Sequence, residues 1–226
     1  MNKEEAIDCI FPPSAFADMV LGYTLYPKQK AIVDEFRNQH GRVKVSVVAA
    51  NGSGKSSIII PTIALWSLVN APQARIVITS KDSRQLDEQV WPALESHRGK
   101  FPALNFTERR IESPQGGIII GFTTDDPNRA EGWHSKITEE IDSPVIIICD
   151  EAKSIQEGIF KAFAVRCTFN GLLYISSTGE MSGEFYRSQL PNSSFKRYRI
   201  TIDEPGLSPF LDYARIKELR AEYPPR

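Results

Sequence analysis

The stretch AANGSGKSS (residues 49–57) decides the reading of this chain: two small residues, two glycines bracketing a serine, then a lysine and two hydroxyls. Gly52 and Gly54 lack Cβ atoms, so the backbone there can take positive φ and turn consecutive N–H groups inward around an anion. Phosphate is the natural occupant. Lys55 can reach β- and γ-oxygens and the Ser56 hydroxyl can bind Mg²⁺. A helix starting near Lys55 points the positive end of its dipole at the same charge. Asn51, Ser53 and Ser57 complete the loop. The pattern is that of a P-loop, with Ala49 in place of the first glycine, a position where a small residue that closes a strand suffices.

The flanks agree with that reading. VKVSVVAA (43–50) is a nearly continuous β-branched run and predicts a strand buried on both faces. KSSIIIPTIALWSLVN (55–70) is long enough for a helix, and Pro61 should remove the bond to the Ser57 carbonyl and kink it. Further on, ARIVITS, PVIIICDEA and GLLYISSTG read as strands and SRQLDEQVWPALESH as an amphipathic helix. FTERRI and GGIIIGF, flanking ESPQ, predict a hairpin with a proline-glycine turn. SFKRYRITID reads as an edge strand and LDYARIKELRAEY as a closing helix. Ahead of Gly41, EEAIDCIF, AFADMVLGY and PKQKAIVDEFRNQ are helical pieces, the last with Pro27 where a helix start tolerates it. Strands that alternate with helices and carry apolar runs predict an α/β fold, a mostly parallel sheet covered on both faces. The expected division is a helical segment (1–40), a P-loop core (41–205) and a C-terminal helix or linker (206–226).

The second half of the site is VIIICDEA. Two adjacent carboxylates closing a buried strand are costly unless they face a ligand. Asp150 is the candidate to hold Mg²⁺, and Glu151, one residue outside the strand, the candidate to orient and deprotonate an attacking water. The alternative is that either residue merely caps a helix. In YPKQ (26–29), the Gln29 amide could pair with an adenine edge and Tyr26 stack on the ring, or the pair could be a helix start with a core tyrosine.

Composition excludes several classes. Lys plus Arg (27) nearly cancel Asp plus Glu (28), with a pI near 6.3, so no bulk basicity points to nucleic acid. Cys9, Cys149 and Cys167 lack the spacing of a disulfide framework or zinc site. The acidic N-terminus does not resemble a signal peptide, and a cytosolic protein is expected.

Taken together, these residues resemble the ATPase domain of the large terminase subunit, the motor that packages DNA in tailed bacteriophages. YPKQ is similar to that family's adenine motif, AANGSGKS to its P-loop and EGWHS to the segment before its acidic strand. VIIICDEAKSI is similar to its Walker B strand with catalytic glutamate, and SSTGE to its coupling motif. The resemblance implies a RecA-like fold of the additional-strand type that hydrolyses ATP with Mg²⁺. Its partners would be double-stranded DNA, a portal protein and a small terminase subunit, and it would form a homo-oligomeric ring when full length, acting in the host cytoplasm. It implies that Ser177, Thr178 and Gly179 sense the γ-phosphate. Trp133 and His134 would be packing and orienting residues. An arginine finger is implied as well; Glu131 stands where many relatives carry arginine, so Arg129 is the first choice and Arg84 the second. The family's C-terminal nuclease domain has no counterpart before the chain stops at EYPPR, so no DNA cleavage is expected, and an excised fragment and a natural product are both open readings. Arg109, Arg110 and FKRYR (195–199) are local basic patches for phosphate contact, or solvated strand faces. A truncated two-core helicase and a non-hydrolytic nucleotide-binding assembly module are the alternatives.

Overall fold

Val45 and Val47 point to one side of the first strand and Ser46 and Val48 to the other, and all four are buried. A strand covered on both sides needs helices above and below it. The computed structural model, which describes residues 11–123, 131–204 and 213–222, supplies them. Helix α1 (Pro13–Phe16, continuing as a π turn, Ala17–Leu21) and α2 (Pro27–Asp34) precede strand β1 (Val43–Ala49). Then come α3 (a π turn Lys55–Ile59, then Ile60–Asn70), β2 (Arg75–Ser80) and α4 (Ser83–Gln85, a π turn Leu86–Val90, then Trp91–Glu95). A meander of β3 (Asn105–Thr107), β4 (Arg110–Glu112) and β5 (Ile118–Thr123) follows. The two-residue strands β6 (Lys136–Ile137) and β7 (Asp142–Ser143) form a separate ribbon. The chain continues through β8 (Val145–Asp150), α5 (Glu157–Arg166), β9 (Gly171–Ser177), α6 (Gly183–Ser188), β10 (Lys196–Ile200) and α7 (Tyr213–Glu222).

The main sheet runs β10-β1-β9-β8-β2-β5-β4-β3. Its first six strands are parallel; β4 and β3 turn antiparallel at the far edge. On one face, Ile76, Ile78, Ile146, Ile148 and Leu173 pack against α1 to α4, with Trp66 fully enclosed. On the other, Val77, Ile147, Cys149 and Tyr174 pack against α5 and α6 through Ile159, Phe163 and Phe185. Each fully enclosed Ile or Leu contributes about 1.5–3 kcal/mol of apolar burial. The α/β architecture expected from the sequence is the one observed.

Two local expectations change. The hairpin across ESPQ forms between β4 and β5, but FTERRI is not one continuous arm of it: its own Glu108–Arg109 turn splits it into β3 and β4, with Arg109 at φ 51°. The irregularity expected at Pro61 takes the form of a widened turn. The N–H groups of Ile59 and Ile60 reach five residues back, to the Gly54 and Lys55 carbonyls, before regular winding resumes. The Ser57 carbonyl, which Pro61 cannot serve, accepts the Tyr23 hydroxyl at 3.0 Å. Pro92 follows a π turn in the same way, where the Trp91 N–H reaches the Leu86 carbonyl. EEAIDCI and the start of the closing LDYARIKELRAEY segment lie outside the described residues. Among the described residues, no helix is long and apolar enough to cross a membrane.

Candidate nucleotide and cation site

The C-terminal ends of β1, β8 and β9 lie side by side, and the three sequence motifs leave the sheet there. After β1, Gly52 (φ 74°) and Gly54 (φ 76°) hold the two left-handed positions that curl the loop before Lys55 opens α3. A Cβ on Gly54 would lie 2.6 Å from Gln29 Nε2, so the loop needs glycine there for space as well as for backbone conformation. A cleft of about 750 Å³ runs from this loop to α4 and is floored by Glu151.

Beneath the loop, Tyr26 and Gln29 are bonded to the loop itself. Both are buried, and both donate to the Ser53 carbonyl, the Tyr26 hydroxyl at 2.9 Å and Gln29 Nε2 at 3.0 Å. Gln29 Oε1 accepts the Tyr26 N–H, closing a capping box at the start of α2. The amide that the sequence offers to an adenine edge is engaged on both sides, and the pair braces the loop from below.

The Lys55 ammonium lies 3.4–3.5 Å from the Ala49 and Ala50 carbonyls and 3.9 Å from Glu151 Oε1. Burial holds its pKa below the usual lysine value, while the charges of Glu151 and Asp150 oppose that shift. Ser56 Oγ donates to Asp150 Oδ2 at 3.0 Å, which joins the two candidate cation ligands across the loop. Asp150 is fully buried, and burial is the main cause that lifts its carboxyl to about 6. Among the described residues, its Oδ1 has no hydrogen-bond partner. An orphaned buried carboxylate oxygen beside a serine hydroxyl is the hard oxygen donor set that Mg²⁺ prefers, so these residues fit that cation. Among the described residues, no group of three or more His, Cys, Asp or Glu side chains forms a cage for any other metal.

Glu151 sits at φ 46°, ψ 47°, a left-handed conformation that costs a non-glycine residue about 1 kcal/mol. It heads a short 3₁₀ turn (Ala152–Ser154), yet its carboxylate does not cap that turn. Oε2 instead accepts from Ser176 Oγ (3.0 Å), Ser177 N (3.1 Å) and Ser177 Oγ (2.8 Å), leaving Oε1 toward Lys55. Lys153 Nζ, two residues on, donates to the Thr178 carbonyl at 2.8 Å. The acidic strand end and the SSTG segment are thus joined by side chains as well as by the β8–β9 ladder.

Other sequence candidates fall elsewhere. His134 bridges to Thr168, and Trp133 packs against the apolar cluster on the α5 face. That placement is structural. Arg84 is exposed and pairs with Glu88 at 2.9 Å. Arg109 makes a double contact with Asp87 and Arg110 pairs with Glu112, so both hairpin arginines face carboxylates. Lys196 pairs with Glu35. Arg129 lies outside the described residues. The residue that sequence reasoning missed is Gln85, whose Nε2 lies 3.1 Å from Asp150 Oδ2.

No sequence-family profile matches the chain, and no curated protein matches it. Solved structures do. The large terminase ATPase domain of Thermus phage P74-26 superposes with a TM-score of 0.64 at 22% identity, covering 95% of this chain and 94% of that one. The large terminase of a thermophilic bacteriophage, solved in complex with ADP, matches with a TM-score of 0.61 at 12% identity over 87% of this chain and 50% of that one. The HK97 bacteriophage large terminase gives 0.53 at 17% identity, over 79% and 38%. At these identities the likeness is one of fold: this chain has the fold of the large-terminase ATPase domains.

Proposed function

We propose that the chain is a Mg²⁺-dependent ATPase, the motor domain that drives double-stranded DNA into a viral procapsid. One observation carries the reading: Ser56 and Asp150 meet at 3.0 Å under the glycine loop, with Glu151 as the next residue. Phosphates of ATP enter the loop between Gly52 and Gly54, and the Lys55 ammonium moves from its carbonyls to their oxygens. Ser56 and Asp150 would hold Mg²⁺, and a cation bound there would supply charge neutralisation for the phosphates. Glu151, aimed by three donors on Oε2, accepts the proton of the attacking water through Oε1. Loss of the γ-phosphate is felt at Ser177 and Thr178 because their strand end is bonded to that carboxylate.

A charge-stabilising arginine completes such a site, and Arg129 is the residue proposed, supplied to a neighbouring copy. The P74-26 ATPase domain has also been solved as an arginine-to-alanine mutant. In this reading the chain works in a ring on the portal, recruited by a small terminase subunit, in the host cytoplasm. The test is ATP turnover against protein concentration for the wild type, Glu151→Gln and Arg129→Ala. Specific activity that rises with concentration and is lost in both variants supports the reading; wild type that binds ATP with no turnover at any concentration, DNA present, refutes it.

A further inference from the structure

Gln85 stands in the first turn of α4, 65 residues from Asp150 in sequence, and no sequence motif singles it out. Its Nε2 donates to Asp150 Oδ2 at 3.1 Å and to Gln89 Oε1 at 3.1 Å, and lies 3.5 Å from Ser56 Oγ. Both amide protons are therefore engaged, one on the carboxylate and one on a neighbour a helical turn away. Only the nitrogen end of the amide can donate to a carboxylate, so the side chain's orientation is determined. Among the described residues, Asp150 Oδ2 receives two donors, Ser56 at the start of α3 and Gln85 in α4, while Oδ1 receives none. The two donors fix the carboxylate's rotation and leave one oxygen uncommitted.

We propose that Gln85 is a positioning residue for the divalent cation: by holding Asp150 Oδ2 it presents Oδ1 for coordination, and Gln89 aligns it for that task. The inference rests on the cation site proposed above. Groups that orient a metal-binding side chain by hydrogen bonding typically change metal affinity 10–100-fold when removed.

The experiment uses the full chain with ADP as probe. Calorimetry gives the ADP dissociation constant in EDTA, and a Mg²⁺ titration gives the concentration at half-enhancement of ADP binding. Gln85→Leu keeps the bulk and loses the amide; Gln85→Ala removes both. Both variants should leave ADP affinity in EDTA within about twofold of wild type and raise the half-enhancing Mg²⁺ concentration about tenfold or more, with Gln89→Leu giving a smaller change in the same direction. A Gln85→Leu protein with the wild-type Mg²⁺ requirement, while Asp150→Asn loses it, overturns the role of Gln85 and leaves the cation site standing. If Asp150→Asn also keeps the wild-type requirement, the cation site falls and the inference with it.

Discussion

Asp150→Asn should make the bare protein's stability less sensitive to pH, and the size of the effect follows from the burial of one carboxyl. Asp150 is raised from an ordinary 3.8 to about 6, chiefly by burial, with the nearby Glu151 charge adding to the rise. At 1.36 kcal/mol per pH unit, that displacement is worth about 3 kcal/mol of differential free energy. Because the folded-state value is the higher one, this carboxyl favours folding below 3.8 and loses that contribution as pH rises through 6. Asparagine carries no such dependence. Its oxygen can still accept from Ser56 and Gln85, and its NH₂ falls where Oδ1 has no partner, a constant penalty of about 1–3 kcal/mol. The pH-dependent part separates from that constant. Stability of the variant relative to wild type should climb by about 1.4 kcal/mol between pH 5 and pH 8, and level off above pH 7. Urea denaturation in EDTA, followed by the fluorescence of Trp66, Trp91 and Trp133, measures it. With saturating Mg²⁺ and ADP the wild type should gain on the variant at every pH, since ligand at a hundred times its dissociation constant stabilises the wild type by about 2.7 kcal/mol and the variant far less. Parallel stability profiles for the two proteins from pH 5 to pH 8 would refute the reasoning.

Gly54→Ala forces a methyl against Gln29 Nε2 at φ 76°, and should weaken ATP binding at least about tenfold while destabilising the fold by about 1–2 kcal/mol, read by calorimetry and urea denaturation. Tyr23→Phe removes the hydroxyl from both the Ser57 carbonyl and His97 Nε2 and should lower stability by about 1–2 kcal/mol; a variant as stable as wild type would show that the two bonds contribute nothing net. Gln29→Ala should weaken ATP and GTP binding alike, because the amide supports Ser53; a loss confined to ATP would show instead that Gln29 reads the base. Ser177→Ala removes one of three donors to Glu151 Oε2 and should lower kcat more than it raises KM for ATP, by about tenfold or less, in steady-state kinetics.

What the sequence makes legible is what local chemistry specifies. The β-branched run of β1, the glycines at 52 and 54 and the apolar strand ending in Asp150 each carry their own signal, and each stands where that signal puts it. Pro61 announces an irregularity but not its kind, because a missing backbone bond can be met by a kink or by a widened turn. The Glu108–Arg109 turn is hidden because its left-handed residue is an arginine, whereas the ESPQ segment with its following glycines is conspicuous. Helix α5, EGIFKAFAVR, passes unnoticed in the wake of the acidic motif. Tyr26 and Gln29 are recognisable as belonging to the site, but their engagement under the loop depends on where Ser53 turns its carbonyl, a tertiary fact. Gln85 is invisible for the same reason: a single glutamine in a polar helix has no pattern, and its partner is set only when β2 and β8 become neighbours.

The position of β9 between β1 and β8 has a mechanical side. Val43–Ala49 pairs residue for residue with Gly171–Ser177, and Ile146–Asp150 with Gly171–Ile175. A pull along the axis of β9 loads both flanking ladders in shear, so every rung on either side resists together, where a hinge-like peel would break them one at a time. The glycine loop, the carboxylates and the serine pair are thereby mounted on one stiff plate. A tug at the Ser177 end is passed on as displacement with little stretch, because every rung on either side is loaded at once.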